Sequence, residues 1–196
     1  MNDRVFHFSQ AHKLEDPERL QWLPPMAVID ALRLRPGMAV ADIGAGTGYF
    51  AIPISKAVGS SGKVFAVDFQ PEMLTILREK LNAPESPRNL ELVDGSATES
   101  HLPGQSCDLV LYANIWHELV DPVAALREAE RIVRRDGRIA ILDWRPEVSR
   151  PPGPPLEHRI SPGTVDDTLG GQSWEFESAV NIGPYSYLVV APARRT

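Results

Sequence analysis

One ten-residue stretch constrains this chain more than any other: Val40-Ala41-Asp42-Ile43-Gly44-Ala45-Gly46-Thr47-Gly48-Tyr49. An apolar run, Met38 to Ile43, reads as a β-strand and ends in a Gly-x-Gly-x-Gly turn. The segment from Tyr49 to Val58 then reads as a helix, with Pro53 tolerable because it lies near the first turn. Glycine lets the backbone turn sharply and approach a ligand with no Cβ in the way. In an open parallel sheet, ligands bind outside the carboxyl ends of the strands. A second strand, Lys63 to Asp68, ends in an acid placed to accept hydrogen bonds from two ribose hydroxyls.

The same alternation continues. Pro71 to Leu81 carries Met73, Leu74, Leu77 and Leu81 on one helical stripe, and Leu90 to Val93 reads as a third strand. Asp108 to Ala113 is a fourth strand, with Leu109-Val110-Leu111 fully apolar. Asp121-Pro122 caps a helix running to about Arg134, Asp136-Gly137 turns the chain, and Arg138 to Asp143 forms a fifth strand. Continuous apolar strands alternating with amphipathic helices predict a parallel sheet covered on both faces. Ser173 to Val180 and Tyr185 to Ala191 read as two more strands, antiparallel because 181–184 is too short for a crossover.

Everything is expected to lie in one domain. Residues 1–36 form a helical arm or lid, with a helix start at Asp16-Pro17-Glu18 and a second helix from Pro25 to Leu32. Residues 37–145 form the ligand-binding core, 146–172 a proline-rich loop with a weak helix at Pro162 to Leu169, and 173–196 the hairpin.

Bulk properties narrow the function. The net charge of −6 lacks the basic footprint of a nucleic-acid binder. Arg131, Arg134, Arg135 and Arg138 read instead as cations at a helix C-terminus. The single cysteine, Cys107, excludes an intrachain disulfide and reads as a small buried hydrophobe. No apolar run is long enough for a membrane span, and no signal-like segment opens the chain, so a cytoplasmic location is expected. His7 and His12 are five apart, without a cysteine cluster, and no metal site is expected.

The ligand class follows from charge. A dinucleotide loop is spaced Gly-x-Gly-x-x-Gly, with its helix N-terminus facing a pyrophosphate. Here the spacing is Gly-x-Gly-x-Gly, and Asp42 stands at the loop's mouth. A carboxylate there opposes a pyrophosphate and suits a ligand carrying an ammonium and a sulfonium, which favours S-adenosylmethionine over NAD.

With those residues in view, the stretch Val40 to Asp143 resembles a class I, seven-stranded S-adenosylmethionine-dependent methyltransferase of the type 11, ubiquinone/menaquinone-biosynthesis-like group. The resemblance implies a doubly wound, Rossmann-like α/β/α sheet in the order 3-2-1-4-5-7-6, with strand 7 antiparallel. It implies a cofactor site of Asp42, Gly44, Ala45, Gly46, Thr47 and Gly48, the ribose acid Asp68, and Phe69 and Met73 beside the adenine. Gly95, Ser96 and Ala97 match the segment at the adenine edge, with Ser96 where the family often has Asp, so that Asp94 or the Ser96 hydroxyl would have to replace the carboxylate. Asn114 follows the fourth strand, where the family faces the methionine part and the substrate.

On the acceptor side, His117 is the candidate general base, suited by its near-neutral pKa. Glu118 beside it is read as solvent-facing or capping in preference to the alternative, that it orients His117. Trp144 is a candidate pocket wall and Tyr185 an alternate, with one of Tyr185 and Tyr187 expected to face the site. The expected reaction is methyl transfer to a small-molecule acceptor, leaving S-adenosylhomocysteine. Two other readings stand beside it: a noncatalytic S-adenosylmethionine-binding sensor or scaffold, and an NAD-dependent oxidoreductase.

Overall fold

A computed structural model describes residues 4–148 and 152–194. Pro151 of the proline-rich stretch and the first three residues of the arm lie outside it. Seven strands form one sheet: β1 Ala39–Ile43, β2 Lys63–Asp68, β3 Leu90–Asp94, β4 Cys107–Ala113, β5 Val133–Trp144, β6 Ser178–Ile182 and β7 Ser186–Pro192. Their order is β3-β2-β1-β4-β5-β7-β6, and β7 runs antiparallel to both neighbours. The expected fold class is the observed one.

Side-chain alternation explains how this sheet is covered. Val40, Val64, Ala66, Leu109, Leu111, Ala140 and Leu142 point to one face, beneath α2 (Pro25–Leu32) and α3 (Ala51–Val58). Ala41, Ile43, Phe65, Val67, Val110, Tyr112, Ile139 and Ile141 point to the other, beneath α5 (Pro122–Ile132) and α6 (Pro162–Gly170). Both sets are apolar because both faces are buried. α4 (Pro71–Lys80) adds Leu77 to the first set. The Asp121 side chain accepts from the Ala124 N–H, the cap expected at Asp121-Pro122, and Ser161 caps α6 through the Thr164 N–H.

Four local expectations are corrected. The fifth strand begins at Val133, directly after α5. Its ladder jumps from Cys107–Val133 to Leu109–Arg138, so residues 134–137, including Asp136-Gly137, bulge opposite Asp108 rather than forming a separate turn. Arg134 and Arg135 therefore sit on β5, and Arg134 pairs with Asp108 at 2.7 Å instead of facing a helix end. β6 starts at Ser178 rather than Ser173 and takes in Asn181 and Ile182, because its register with Tyr187 and Ser186 carries the ladder that far. The arm carries a 3-10 helix at Phe8–Glu15 ahead of the expected helix start, and the helix expected from Asp16-Pro17-Glu18 is one α-turn, α1 (Arg19–Trp22).

Candidate active site

The carboxyl ends of β1, β2, β4 and β5, together with the arm, line one cavity of about 860 Å³. β1 delivers the glycine loop into it. Gly44 has φ +71°, and a Cβ there would lie 2.7 Å from Ile115 Cγ2. Gly48 has φ +85° and would drive a Cβ into Leu77 Cδ1. Only glycine fits both the backbone conformation and the space. Gly44, Ala45, Gly46 and Thr47 line the cavity, whereas Gly48 lies behind the wall and serves the packing of the loop against α4.

Asp42, the penultimate residue of β1, is buried, and both its carboxylate oxygens lack a hydrogen-bond partner among the described residues. Burial, reinforced by the nearby Asp68 charge, pushes its pKa up to about 7. The Ala51 amide pulls weakly the other way without closing a hydrogen bond. Asn114 presents the same anomaly opposite. It has φ +59°, its backbone N–H donates to Leu142 O at 2.7 Å, and neither its side-chain oxygen nor its nitrogen has a partner. Buried polar groups are normally satisfied, so these two unpartnered side chains lining one cavity stand out.

β2 ends in Asp68, whose oxygens accept from the Gly46 N–H at 2.8 Å and the Gln70 N–H at 2.9 Å. These two bonds fix the carboxylate against the glycine loop and leave further lone pairs. Phe69, half exposed, and the buried Met73 follow on the same wall, facing Gly95, Ser96 and Ala97 after β3. The Ser96 hydroxyl lines the cavity while accepting from the Glu99 N–H at 3.0 Å. Asp94 does not reach the wall.

On the far side, His117 is 4% exposed and its Nδ1 lies 2.8 Å from Asp143 Oδ1. The other Asp143 oxygen accepts from the His117 backbone N–H at 2.9 Å. Burial alone would depress the imidazole, but the Asp143 hydrogen bond and charge overcome it and hold His117 above its ordinary value. Its Nε2 lies 3.8 Å from Glu118 Oε1. The expectation of a solvent-facing Glu118 is corrected: its side chain is 12% exposed, and burial pushes its pKa up to about 7.

Trp144 lines the cavity, packed against Trp22 with ring centroids 5.5 Å apart and the planes tilted by 38°. Gly153 of the proline-rich loop lies on its indole, leaving no room for a Cβ. The loop is tied down by Arg159, which donates to the carbonyls of Pro154, Arg145 and Val148. Neither tyrosine of the last hairpin faces the cavity: Tyr185 packs behind Trp22, and the buried Tyr187 donates to Ile160 O.

Residues unmarked by sequence complete the enclosure. Gln70 holds the arm in both directions, donating to Phe6 O and accepting from the Phe8 N–H, each at 2.9 Å. Lys80 Nζ bonds Glu15 Oε1 at 2.6 Å and Thr47 O at 2.8 Å, tying the arm to the glycine loop. Arg19, buried at 6% exposure, stacks its guanidinium 3.8 Å from the Tyr49 ring centroid. Asp143 was visible only as the last residue of the fifth strand. Such pairings join residues far apart in sequence, and no local motif signals them.

This geometry has close counterparts. The family model described as a methyltransferase domain matches residues 41–141. The chain is 36% identical over 126 residues, 64% of its length, to the ubiquinone/menaquinone biosynthesis C-methyltransferase UbiE of Hahella chejuensis, and 35% identical over 116 residues, 59% of its length, to the demethylmenaquinone methyltransferase of Staphylococcus aureus. It spans about half the length of these curated relatives, 49% and 47% respectively. A crystal structure of a SAM-dependent methyltransferase from Aquifex aeolicus superposes with a TM-score of 0.90 at 34% identity, covering 96% of this chain and all of that one. With the sheet order and the glycine loop in place, the chain belongs to the class I S-adenosylmethionine-dependent methyltransferases of the type 11/UbiE group.

Proposed function

We propose that this chain binds S-adenosylmethionine in the cavity above β1 and β4 and transfers its methyl group to a small apolar acceptor that gives up a proton. The observation that carries this reading is the pair of buried, unpartnered polar side chains, Asp42 and Asn114, facing one cavity. The residues fit the group. Asp42 would take the ammonium of the methionine part, Asn114 its polar edge, Asp68 the ribose hydroxyls, and Phe69 and Met73 the adenine faces. Gly44 and Gly46 leave the backbone open to close approach.

S-adenosylmethionine, when bound, supplies an electrophilic methyl group on a sulfonium leaving group. The protein's share is alignment and exclusion of water. Trp22, Trp144 and Leu119 would hold a flat apolar acceptor, in keeping with relatives named for quinone biosynthesis. Asp143 holds His117 Nδ1, so Nε2 is the nitrogen left to take the acceptor's proton, and burial keeps water from competing.

The test is calorimetric titration with S-adenosylhomocysteine, run beside NAD and with the Asp42→Asn variant. The wild type is expected to bind S-adenosylhomocysteine at micromolar concentration and to ignore NAD. Its affinity should weaken as pH falls below about 7, because Asp42 must shed its proton to meet the ammonium. Asp42→Asn should bind at least tenfold more weakly, with no such pH dependence. Clean NAD binding would overturn the reading.

A further inference from the structure

Glu118 is a buried acid in the cavity wall that the proposed reaction leaves unused. The turn Trp116–Glu118, anchored by the Glu118 N–H on Ile115 O at 3.0 Å, sets it beside His117. Three groups then lie in a row: Asp143 on Nδ1 at 2.8 Å, the imidazole, and Glu118 Oε1 at 3.8 Å from Nε2. Among the described residues, no other carboxylate comes within ion-pairing distance of the ring. Exposure rises toward one end of the row. Asp143 and His117 are buried, Glu118 slightly less so, and Val120, two residues on, is 85% exposed at the cavity's rim.

This arrangement answers a problem that a buried base poses. Once Nε2 has gained a proton, the imidazolium is held by Asp143, and the Nδ1 side is closed to solvent by that same carboxylate. The proton must still leave before the next turnover. Glu118 lies on the open side. Its gap to Nε2 is about 1 Å longer than a hydrogen bond, and rotation of the carboxylate on its own side chain spans such a distance. Burial pushes the Glu118 pKa up to about 7, against the pull of His117 and the Phe6 amide and with the push of Asp143 and Asp68. On the histidine, burial and Arg159 favour the neutral ring, opposing Asp143 and Glu118. A carboxyl with a value near neutrality both takes up and gives up a proton readily at neutral pH.

Building on the assignment of His117 as the base, we propose that Glu118 is a positioning residue for its proton, drawing it off Nε2 and passing it to water at the cavity rim. The Nε2–H bond breaks with its electron pair left on the imidazole. An O–H bond forms on the carboxylate, and water takes the proton from there.

Nitrogen NMR of histidine-labelled protein saturated with S-adenosylhomocysteine reads this without an acceptor. His117 Nε2 is titrated through neutral pH, and the exchange of its proton with water is measured by saturation transfer. Glu118→Gln, which keeps the size and loses the acidity, should slow that exchange about tenfold or more. Glu118→Asp, which keeps the acid one methylene further back, should slow it less and carries the test independently. A mere packing role predicts the opposite sign, because a loosened cavity speeds exchange. Exchange unchanged or faster in Glu118→Gln would therefore overturn the relay. A wild-type Nε2 that gains no proton anywhere in the titration would overturn the base assignment itself.

Discussion

Single side chains here carry opposing demands of stability and function. His117 is the clearest case. Its buried ring is held above the ordinary imidazole value because Asp143, and beyond it Glu118, outweigh the burial that would depress it. As a base it must be deprotonated, so the methyl-transfer rate should rise with pH through an apparent pKa above about 6.5. Asp143→Asn is expected to move that limb to lower pH and cut the plateau about tenfold or more, and His117→Ala to cut it about 100-fold. A pH–rate profile of each variant reads this, and a limb unmoved in Asp143→Asn would remove His117 from the reaction. Linkage runs the other way. A histidine raised in the folded state stabilises fully below its unfolded pKa, and that stability drains away as pH rises through the folded value. Activity and this share of stability therefore trade against each other.

At the scale of elements, the first helix of the arm, Phe8–Glu15, has little packing of its own. It buries only Ala11 and is held by polar ties to Gln70, Thr47 and Lys80. Lys80 and Glu15 are partly exposed, at 30% and 43%, so their pair contributes about 1 kcal/mol at most to global stability. Its effect belongs to local opening. Lys80→Met should leave the melting temperature nearly unchanged but speed hydrogen exchange of the amides of residues 8–15 several-fold. It should also raise the dissociation rate of S-adenosylhomocysteine. Unchanged exchange in that segment would mean the ties to Gln70 and Thr47 hold the arm without Lys80. The proline-rich loop is fastened differently, by one arginine to three carbonyls, and Gly153 on Trp144 fixes how close it comes.

Across the whole molecule, stability resides in the doubly covered sheet, and binding at its carboxyl edge. Leu109, fully buried on β4 between β1 and β5, lies toward the strand end remote from the cavity. Leu109→Ala should cost about 3 kcal/mol through lost burial and a residual cavity. For a chain of this size that corresponds to a melting temperature lower by about 6–12 °C. S-adenosylhomocysteine affinity of the folded protein should stay within about twofold. A large affinity loss would show that the core and the site are energetically coupled. Among the described residues, no helix is long and apolar enough to cross a membrane.

Sequence alone determined what is written in local pattern. The strand–glycine loop–helix unit, the acid ending β2, the apolar strands and the Asp121 cap are each governed by neighbours in the chain, so periodicity and turn chemistry exposed them. Asp42 was legible too, because a carboxylate beside a glycine loop has an electrostatic meaning wherever the rest of the chain goes. Only the tertiary structure decided the rest. It paired His117 with Asp143 across two strands, turned Glu118 inward and placed Tyr185 behind Trp22. It also laid the arm over the cavity through Gln70 and Lys80 and set Arg19 near Asp42. These contacts join residues tens of positions apart, and their energies depend on burial and distance, which exist only once the sheet has brought its strand ends together.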